Sequence, residues 1–188
     1  MPIRFPIINS SKATSGAAPT FPFEIGEVLN GGFVDYNDAA TQTTPISVIG
    51  GAAPVVLTND SLGTFTNKNF LPTGITDIFN STTNQFDWTQ LNNGDMIDIR
   101  LDLLVTTTAP NQSVDVTLIM AAGQVGEYPI LFSTSSYKTA KEHSVNRFNG
   151  IYMGDDFTRL NAAEFRISSD SNCTVKVNGW YCKIIRRG

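Results

Sequence analysis

The chain has 188 residues, 41% hydrophobic and 16% charged, and its 17 acidic against 13 basic side chains leave a formal charge of −4. Such a length suits one compact domain, or one domain with an arm, and the apolar share suits a folded core rather than a solvated chain. The acidic balance is the wrong sign for neutralising phosphates, and no apolar run approaches the roughly 18 residues of a membrane span, so neither nucleic acid nor a bilayer is an expected partner. Two cysteines are too few for a disulfide scaffold. The first residues lack a continuous apolar stretch of signal-peptide type, so synthesis in a cytoplasm is expected and the Asn-x-Ser/Thr triplets at Asn59, Asn80, Asn111 and Asn172 are not glycan acceptors.

Residues 1–44 read as an extended N-terminal arm. Pro2, Pro6, Pro19, Pro22, Gly16, Gly26, Gly31 and Gly32 interrupt any helical or strand period. Apolar anchors within it, among them Phe5, Ile7, Ile8, Phe21 and Phe23, are more than a free linker needs and call for a surface to bury against. From residue 45 the pattern is that of strands. Residues 45–49 and 55–58 flank a Gly-Gly-Ala-Ala-Pro joint, and residues 75–80 and 85–89 flank Ser81-Thr-Thr-Asn84; both read as strand pairs around a turn. Ile97, Ile99, Leu101, Leu103 and Val105 alternate with Asp98, Arg100, Asp102 and Leu104, a period of two with one core face and one largely polar face. Val114, Val116, Leu118 and Met120 repeat the period after a turn at residues 109–112, predicting a strand-turn-strand unit. Tyr128, Ile130 and Phe132 continue it, with Pro129 suited to an edge or a bulge. Further strands are expected at 145–153, 164–168 and 173–186, and the best helical candidate, 136–146, is short and poorly periodic.

In the last strand the apolar parity changes: Cys173, Val175 and Val177 share one phase, Trp180, Cys182 and Ile184 the other. Asn178 and Gly179 therefore form either a hairpin turn or a bulge inside one long strand, the bulge being the preferred reading, with both cysteines reduced and partly buried. Eight to ten short strands without a convincing helix define an all-β chain, an antiparallel β-sandwich or jelly roll at 45–188 behind the arm at 1–44.

The segments Tyr36-Asn-Asp-Ala-Ala-Thr, Asn59-Asp-Ser-Leu-Gly-Thr, Leu71-Pro-Thr-Gly-Ile-Thr-Asp, Asn84-Gln-Phe-Asp, Leu91-Asn-Asn-Gly-Asp and Ile97-Asp-Ile-Arg-Leu-Asp resemble small structural proteins of tailed bacteriophages. Their spacing is also similar to that of trimeric jelly rolls of the tumour-necrosis-factor-like kind. The resemblance covers roughly residues 36 to 186 and rests on turn and strand patterns. It implies a homotrimer on the virion exterior, a capsid cement or decoration protein whose partners are itself and the major capsid protein. The arm, through Arg4, Phe5, Ile7, Ile8, Phe21 and Phe23, would grip the capsid. The alternative it implies is a head-fibre or tail-fibre module that recognises a receptor or glycan.

Catalysis is not expected. His143 is the only histidine, and no Gly-x-Ser-x-Gly elbow accompanies it. Asp95, Asp98 and Asp102 supply carboxylates in the number a glycosidase needs, yet Arg100 lies between the last two on one face, which reads as a structural charge ladder across a subunit contact. Asp155 and Asp156, and Asn59 and Asp60, read as solvated turns rather than calcium loops, and no zinc spacing or phosphate loop exists, so no metal or cofactor is expected. Trp88, Trp180, Tyr128, Tyr137, Tyr152 and Tyr181 offer flat surfaces for a sugar, while Phe86, Trp88, Phe132, Phe148, Phe165 and Trp180 are assigned to the core or a trimer axis. Residues 1–137 carry 12 acids and 4 bases, whereas 138–188 carry 5 acids and 9 bases. That asymmetry makes the C-terminal cations, Arg186 and Arg187 above all, candidates for an inter-subunit or capsid contact.

Overall fold

A computed structural model describes residues 31–187, which form an all-β antiparallel sandwich of the jelly-roll class. Twelve strands are present: β1 (Gly31–Asn37), β2 (Ile46–Val48), β3 (Val55–Val56), β4 (Asn67–Phe70), β5 (Phe79–Asn80), β6 (Gln85–Phe86), β7 (Met96–Thr107), β8 (Gln112–Met120), β9 (Tyr128–Tyr137), β10 (Glu142–Tyr152), β11 (Glu164–Ser169) and β12 (Cys173–Ile185). One six-stranded sheet has the order β10-β7-β12-β1-β4, with β2 also on β12, and it faces a four-stranded sheet of order β3-β11-β8-β9. β7 carries the predicted alternation in full: Ile97, Ile99, Leu101, Leu103 and Val105 are inaccessible to solvent, and the residues between them are not.

Residues 31–44, assigned from sequence to the arm, belong to the sandwich. β1 pairs with β12 from Gly31↔Ile185 to Asn37↔Gly179, and Val34 and Tyr36 are fully buried, because two inward side chains suffice to hold a strand that gains ladder bonds on both edges. The remainder of the arm, including Arg4, Phe5, Ile7, Ile8, Phe21 and Phe23, lies outside the described residues.

Two predicted pairings are corrected. β2 and β3 flank the Gly50 joint but bond to β12 and β11, in different sheets. β7 and β8 are consecutive strands, yet the turn between them, with Asn111 at φ 57°, carries the chain from one sheet to the other rather than closing a hairpin. β5 and β6 do form the expected hairpin, with Asn84 at φ 57°. β9 is the outer strand of its sheet, which accommodates Pro129. The helical candidate at 136–146 becomes the end of β9, a loop and the start of β10. The two helices, α1 (Ala40–Thr43) and α2 (Asp156–Leu160), are single turns that no periodicity could announce.

β12 is one bulged strand. Its register against β7 shifts between Val177 and Gly179, and α1 fills the gap: the Val177 N–H donates to Thr41 Oγ1 at 2.8 Å and its carbonyl accepts from Gln42 Nε2 at 2.8 Å. Both cysteines are buried free thiols, nine positions apart on this one strand and so about 30 Å from each other, which excludes a bridge. Burial pushes the Cys182 thiol far above its ordinary value.

The core is aromatic where the sheets meet. Phe86 stacks on Trp88 at 4.9 Å, and Phe165 of β11 lies 5.7 Å from Trp180 of β12, so the two layers touch through rings. Beside it Asp77 accepts hydrogen bonds from Lys68, the Tyr36 hydroxyl and the backbone N–H of Ile78 and Phe79. Burial works to raise the Asp77 pKa, and those donors outweigh it, leaving the carboxyl below the usual carboxylate range. A depressed folded-state pKa contributes stability that is complete above the unfolded value near 4 and is lost as pH falls through the folded value. Asp77→Asn is therefore expected to lower the urea midpoint at pH 7 and to flatten its decline between about pH 4 and 2; an unchanged acid limb would assign the acid sensitivity elsewhere.

Candidate functional site

The outward residues of the six-stranded sheet form ordered rows. Register places Tyr152, Met96, Ile185 and Gly31 in one row, Gly150, Asp98, Lys183, Phe33 and Phe70 in the next, then Phe148, Arg100, Tyr181, Asp35 and Asn67, and finally Asn146, Asp102, Gly179 and Asn37. The first three rows expose an unusual amount of apolar surface: Phe148 is 62% exposed, Tyr152 58%, Phe70 52% and Met96 42%. Phe33 stacks on Phe70 at 4.7 Å and lies 5.7 Å from Tyr181, so the patch is a packed layer rather than scattered side chains. Phe148, assigned to the core or a trimer axis, is thus excluded from the core because it occupies the outer phase of β10.

Of the predicted Asp98–Arg100–Asp102 ladder, Arg100 and Asp102 pair on this face, and Asp98 has no ion-pair partner among the described residues. Arg100 Nε donates to Asp102 Oδ2 at 3.0 Å, the Asn146 amide donates to the other Asp102 oxygen, and the guanidinium lies 5.4 Å from the centre of the Tyr181 ring. Arg100 is thereby fixed at both ends. Burial raises the pKa of the neighbouring Asp35 carboxyl, with Arg100 and the Asn37 amide pulling the other way. Asp98 and Asp102 are four positions apart along β7, about 13 Å, too far for the paired carboxylates of glycoside hydrolysis.

Asp95 does not join them. Fully buried, it accepts the backbone N–H of Asn92 and of Arg187, each at 2.8 Å, and lies 3.5 Å from Arg186 Nε. Arg186, a candidate for a subunit or capsid contact, also bonds within the chain, its Nη1 donating to the Thr73 carbonyl at 3.0 Å; Arg187 is exposed. His143 closes the end of the sandwich, stacked on Tyr137 at 4.1 Å with Nε2 3.0 Å from the Thr139 carbonyl.

The acidic turns are structural rather than merely solvated. Asp155 caps α2 by accepting the Thr158 N–H at 2.7 Å, and Asp156 pairs with Arg159. Asp60 accepts from the N–H groups of Ala39, Ala40 and Leu62, and Asn59 is fully buried, donating to the Tyr36 carbonyl at 3.0 Å. Among the described residues no group of three or more His, Cys, Asp or Glu is placed to hold a metal ion, and no helix is long and apolar enough to cross a membrane. Trp88 and Trp180 are buried and present no face to a sugar, whereas Tyr128 and Tyr152 are partly exposed.

A feature that sequence reasoning did not single out lies at the polar end of the same face. A groove of about 420 Å³ lined by Asn37, Gln42, Thr64, Phe65 and Asn178 runs into one of about 320 Å³ lined by Asp35, Arg100, Asp102 and Gly179. Its only sequence signal was the change of parity at Asn178 and Gly179.

No family model and no curated protein matches the sequence. Among solved structures, the chain is similar to that of infectious bursal disease virus Gx strain, with TM-score 0.42 and 7% identity over 84% of this chain and 32% of the other. It thus spans less than a third of that protein's length. It is also similar to the Eiger TNF of S. frugiperda, with TM-score 0.42 and 7% identity over 84% and 92% of the two chains. The CBM22-2 xylan-binding domain of Paenibacillus barcinonensis Xyn10C is similar at TM-score 0.39 and 10% identity over 82% and 98%.

Proposed function

We propose that this chain is a structural protein of a virion, a homotrimeric cement or decoration protein held on the capsid exterior by residues 1–30. The observation that carries the reading is the exposed apolar surface of the six-stranded sheet: Tyr152, Met96 and Phe148 on its β10 side and Phe33 and Phe70 on its β4 side. Contiguous apolar surface of this kind marks a protein contact, and a second copy of the chain is the partner that the resemblance implies. Asp98, flanked by Gly150 and Lys183 in its row, supplies the polar part of that contact. In a trimer three arms act together, so weak contacts of Arg4, Phe5, Ile7, Ile8, Phe21 and Phe23 with coat subunits gain avidity through effective concentration.

Phe148→Asp tests the contact, since the side chain is exposed and its loss leaves the core untouched. Light scattering is expected to give a trimer for the natural chain and a monomer for the variant, with unchanged far-ultraviolet dichroism. Deleting residues 2–30 is expected to leave the trimer and abolish co-sedimentation with empty capsids. A deletion that still co-sediments would remove the arm from the mechanism, and a monomeric natural chain would remove the trimer.

A further inference from the structure

The groove at the polar end of the sheet face is walled by a turn and a bulge, each held in place by close backbone contacts. The turn at residues 63–66 is clamped onto the end of β1: Gly63 N–H donates to the Asn37 carbonyl at 2.8 Å, and Thr66 Oγ1 both accepts from the Asn37 N–H at 2.9 Å and donates to its carbonyl at 3.1 Å. The approach is so close that a Cβ on Gly63 would fall 2.7 Å from Asn37 Cβ, and one on Gly179 2.4 Å from the Tyr36 carbonyl oxygen. The clamp holds Phe65 with its ring 76% exposed above the groove. From the opposite side the β12 bulge re-aims Asn178, and bulges recur beside functional sites for this reason.

The groove keeps unused donors and acceptors, although Asp102 already accepts at both oxygens, from Arg100 and Asn146, and Asp35 Oδ1 accepts from the Asn37 amide. Among the described residues neither the Asn178 amide nor the Arg100 Nη atoms have a hydrogen-bond partner, while Nε of Arg100 is fixed by Asp102. Gln42 has committed only its amide nitrogen, to Val177. Carboxylates of Asp35 and Asp102 accept, amides do both, and the guanidinium donates. Vicinal hydroxyls, each a donor and an acceptor, match this set, and the C–H face of a sugar ring matches a flat exposed phenyl. Asp35, Asp38 and Asp102 against Arg100 leave the lining net acidic, which disfavours phosphorylated, sulfated or sialylated ligands.

The geometry points to a binding site for a neutral saccharide in the groove between Phe65 and Asn178. The site borders the apolar contact at the row of Phe148 and Arg100, two positions along β7 from Asp102 and about 7 Å away, whereas Met96 and Tyr152 lie six positions away, about 20 Å. The combined volume falls within the range of about 300 to 1,000 Å³ usual for small-ligand sites.

The test titrates the full-length chain, followed by amide NMR, with neutral hexasaccharides of glucose, mannose, galactose and xylose and with a heparin hexasaccharide as the anionic probe. At least one neutral probe is expected to shift the signals of Phe65 and the Asn178 side-chain amide. Phe65→Ala is expected to weaken that binding about tenfold, as loss of an aromatic platform does, and Asn178→Ala to weaken it as well, with the mass by light scattering unchanged in both. Tyr152→Asp, at the far end of the apolar contact, is expected to retain saccharide binding per chain. Failure of every neutral probe to bind, preference for the heparin fragment, or indifference to Phe65→Ala would each overturn the site.

Discussion

Asp95→Ala is expected to remove about 3 to 5 kcal/mol of stability, the range seen when one partner of a buried charged network is deleted. The carboxylate is fully buried, and both of its oxygens are in use, one on the Asn92 N–H and one on the Arg187 N–H. Arg186 at 3.5 Å is left with an uncompensated charge when it goes. The backbone of the same residue accepts the Met153 N–H at 2.9 Å, so the loop before β7, the end of β10 and the C-terminal residues converge here. Asp95→Asn keeps one acceptor and turns a donor towards another donor, so an intermediate loss of about 1 to 3 kcal/mol is expected. Urea unfolding in the Phe148→Asp background measures both without an assembly contribution. Asp98→Ala on the exposed face is the control, expected within about 0.5 kcal/mol of its parent. Equal losses at Asp95 and Asp98 would show that burial of the first does not govern its role.

The contrast between those two aspartates shows what could be read from the chain and what could not. The β7 alternation was legible because every second residue answers to the same core, and the bulge in β12 was legible because it forces the apolar parity to change. Asp95 reads from sequence as a companion of Asp98 and Asp102, whereas the return of the C-terminal residues, 92 positions later, sets it apart from them in a buried network. β1 has the composition of a linker, Gly-Gly-Phe-Val-Asp-Tyr-Asn, and becomes a central strand through partners at 67–70 and 179–185. The pairing of β2 and β3 failed for the same reason: a short apolar run announces a strand, whereas its neighbour is chosen by tertiary contacts. Phe65 was invisible as a site residue, since an exposed ring in a turn acquires meaning only when Asn37 and Asn178 are brought beside it.

The proposed assembly and recognition would share one face, drawing on adjoining parts of it. The rows from Tyr152 to Asn67 carry most of the exposed rings, interleaved with Asp98, Lys183, Arg100 and Asp35, while the row ending at Asn37 and the turn at 63–66 are mainly amides and carboxylates around Phe65. Arg100 stands at the border, with its ring contact towards the apolar end and its ion pair towards the polar end. A trimer formed through the first would carry three copies of the second, and multivalency then raises the avidity of each weak saccharide site.

Two phenylalanines separate folding from assembly. Phe86 is 1% exposed, stacks on Trp88, meets Phe165 of β11 edge-on at 5.7 Å and lies 5.8 Å from Trp180 of β12, so it joins the β5–β6 hairpin to both sheets. Phe86→Ala leaves a cavity that the surrounding rings cannot close without abandoning their mutual geometry, and a loss of about 3 to 5 kcal/mol is expected. Phe148→Ala removes a ring of the same size from the outer face and is expected to change monomer stability by less than about 0.5 kcal/mol. The trimer should respond in the opposite order: Phe148→Ala shifts the mass towards monomer on dilution, whereas Phe86→Ala leaves the subunit contact intact for as long as the chain is folded. Urea unfolding at one low concentration and light scattering across a dilution series distinguish the two effects. If Phe148→Ala alone reduced monomer stability by several kcal/mol, its ring would have to be buried against the chain's own residues, and the apolar face would no longer be available to a second copy.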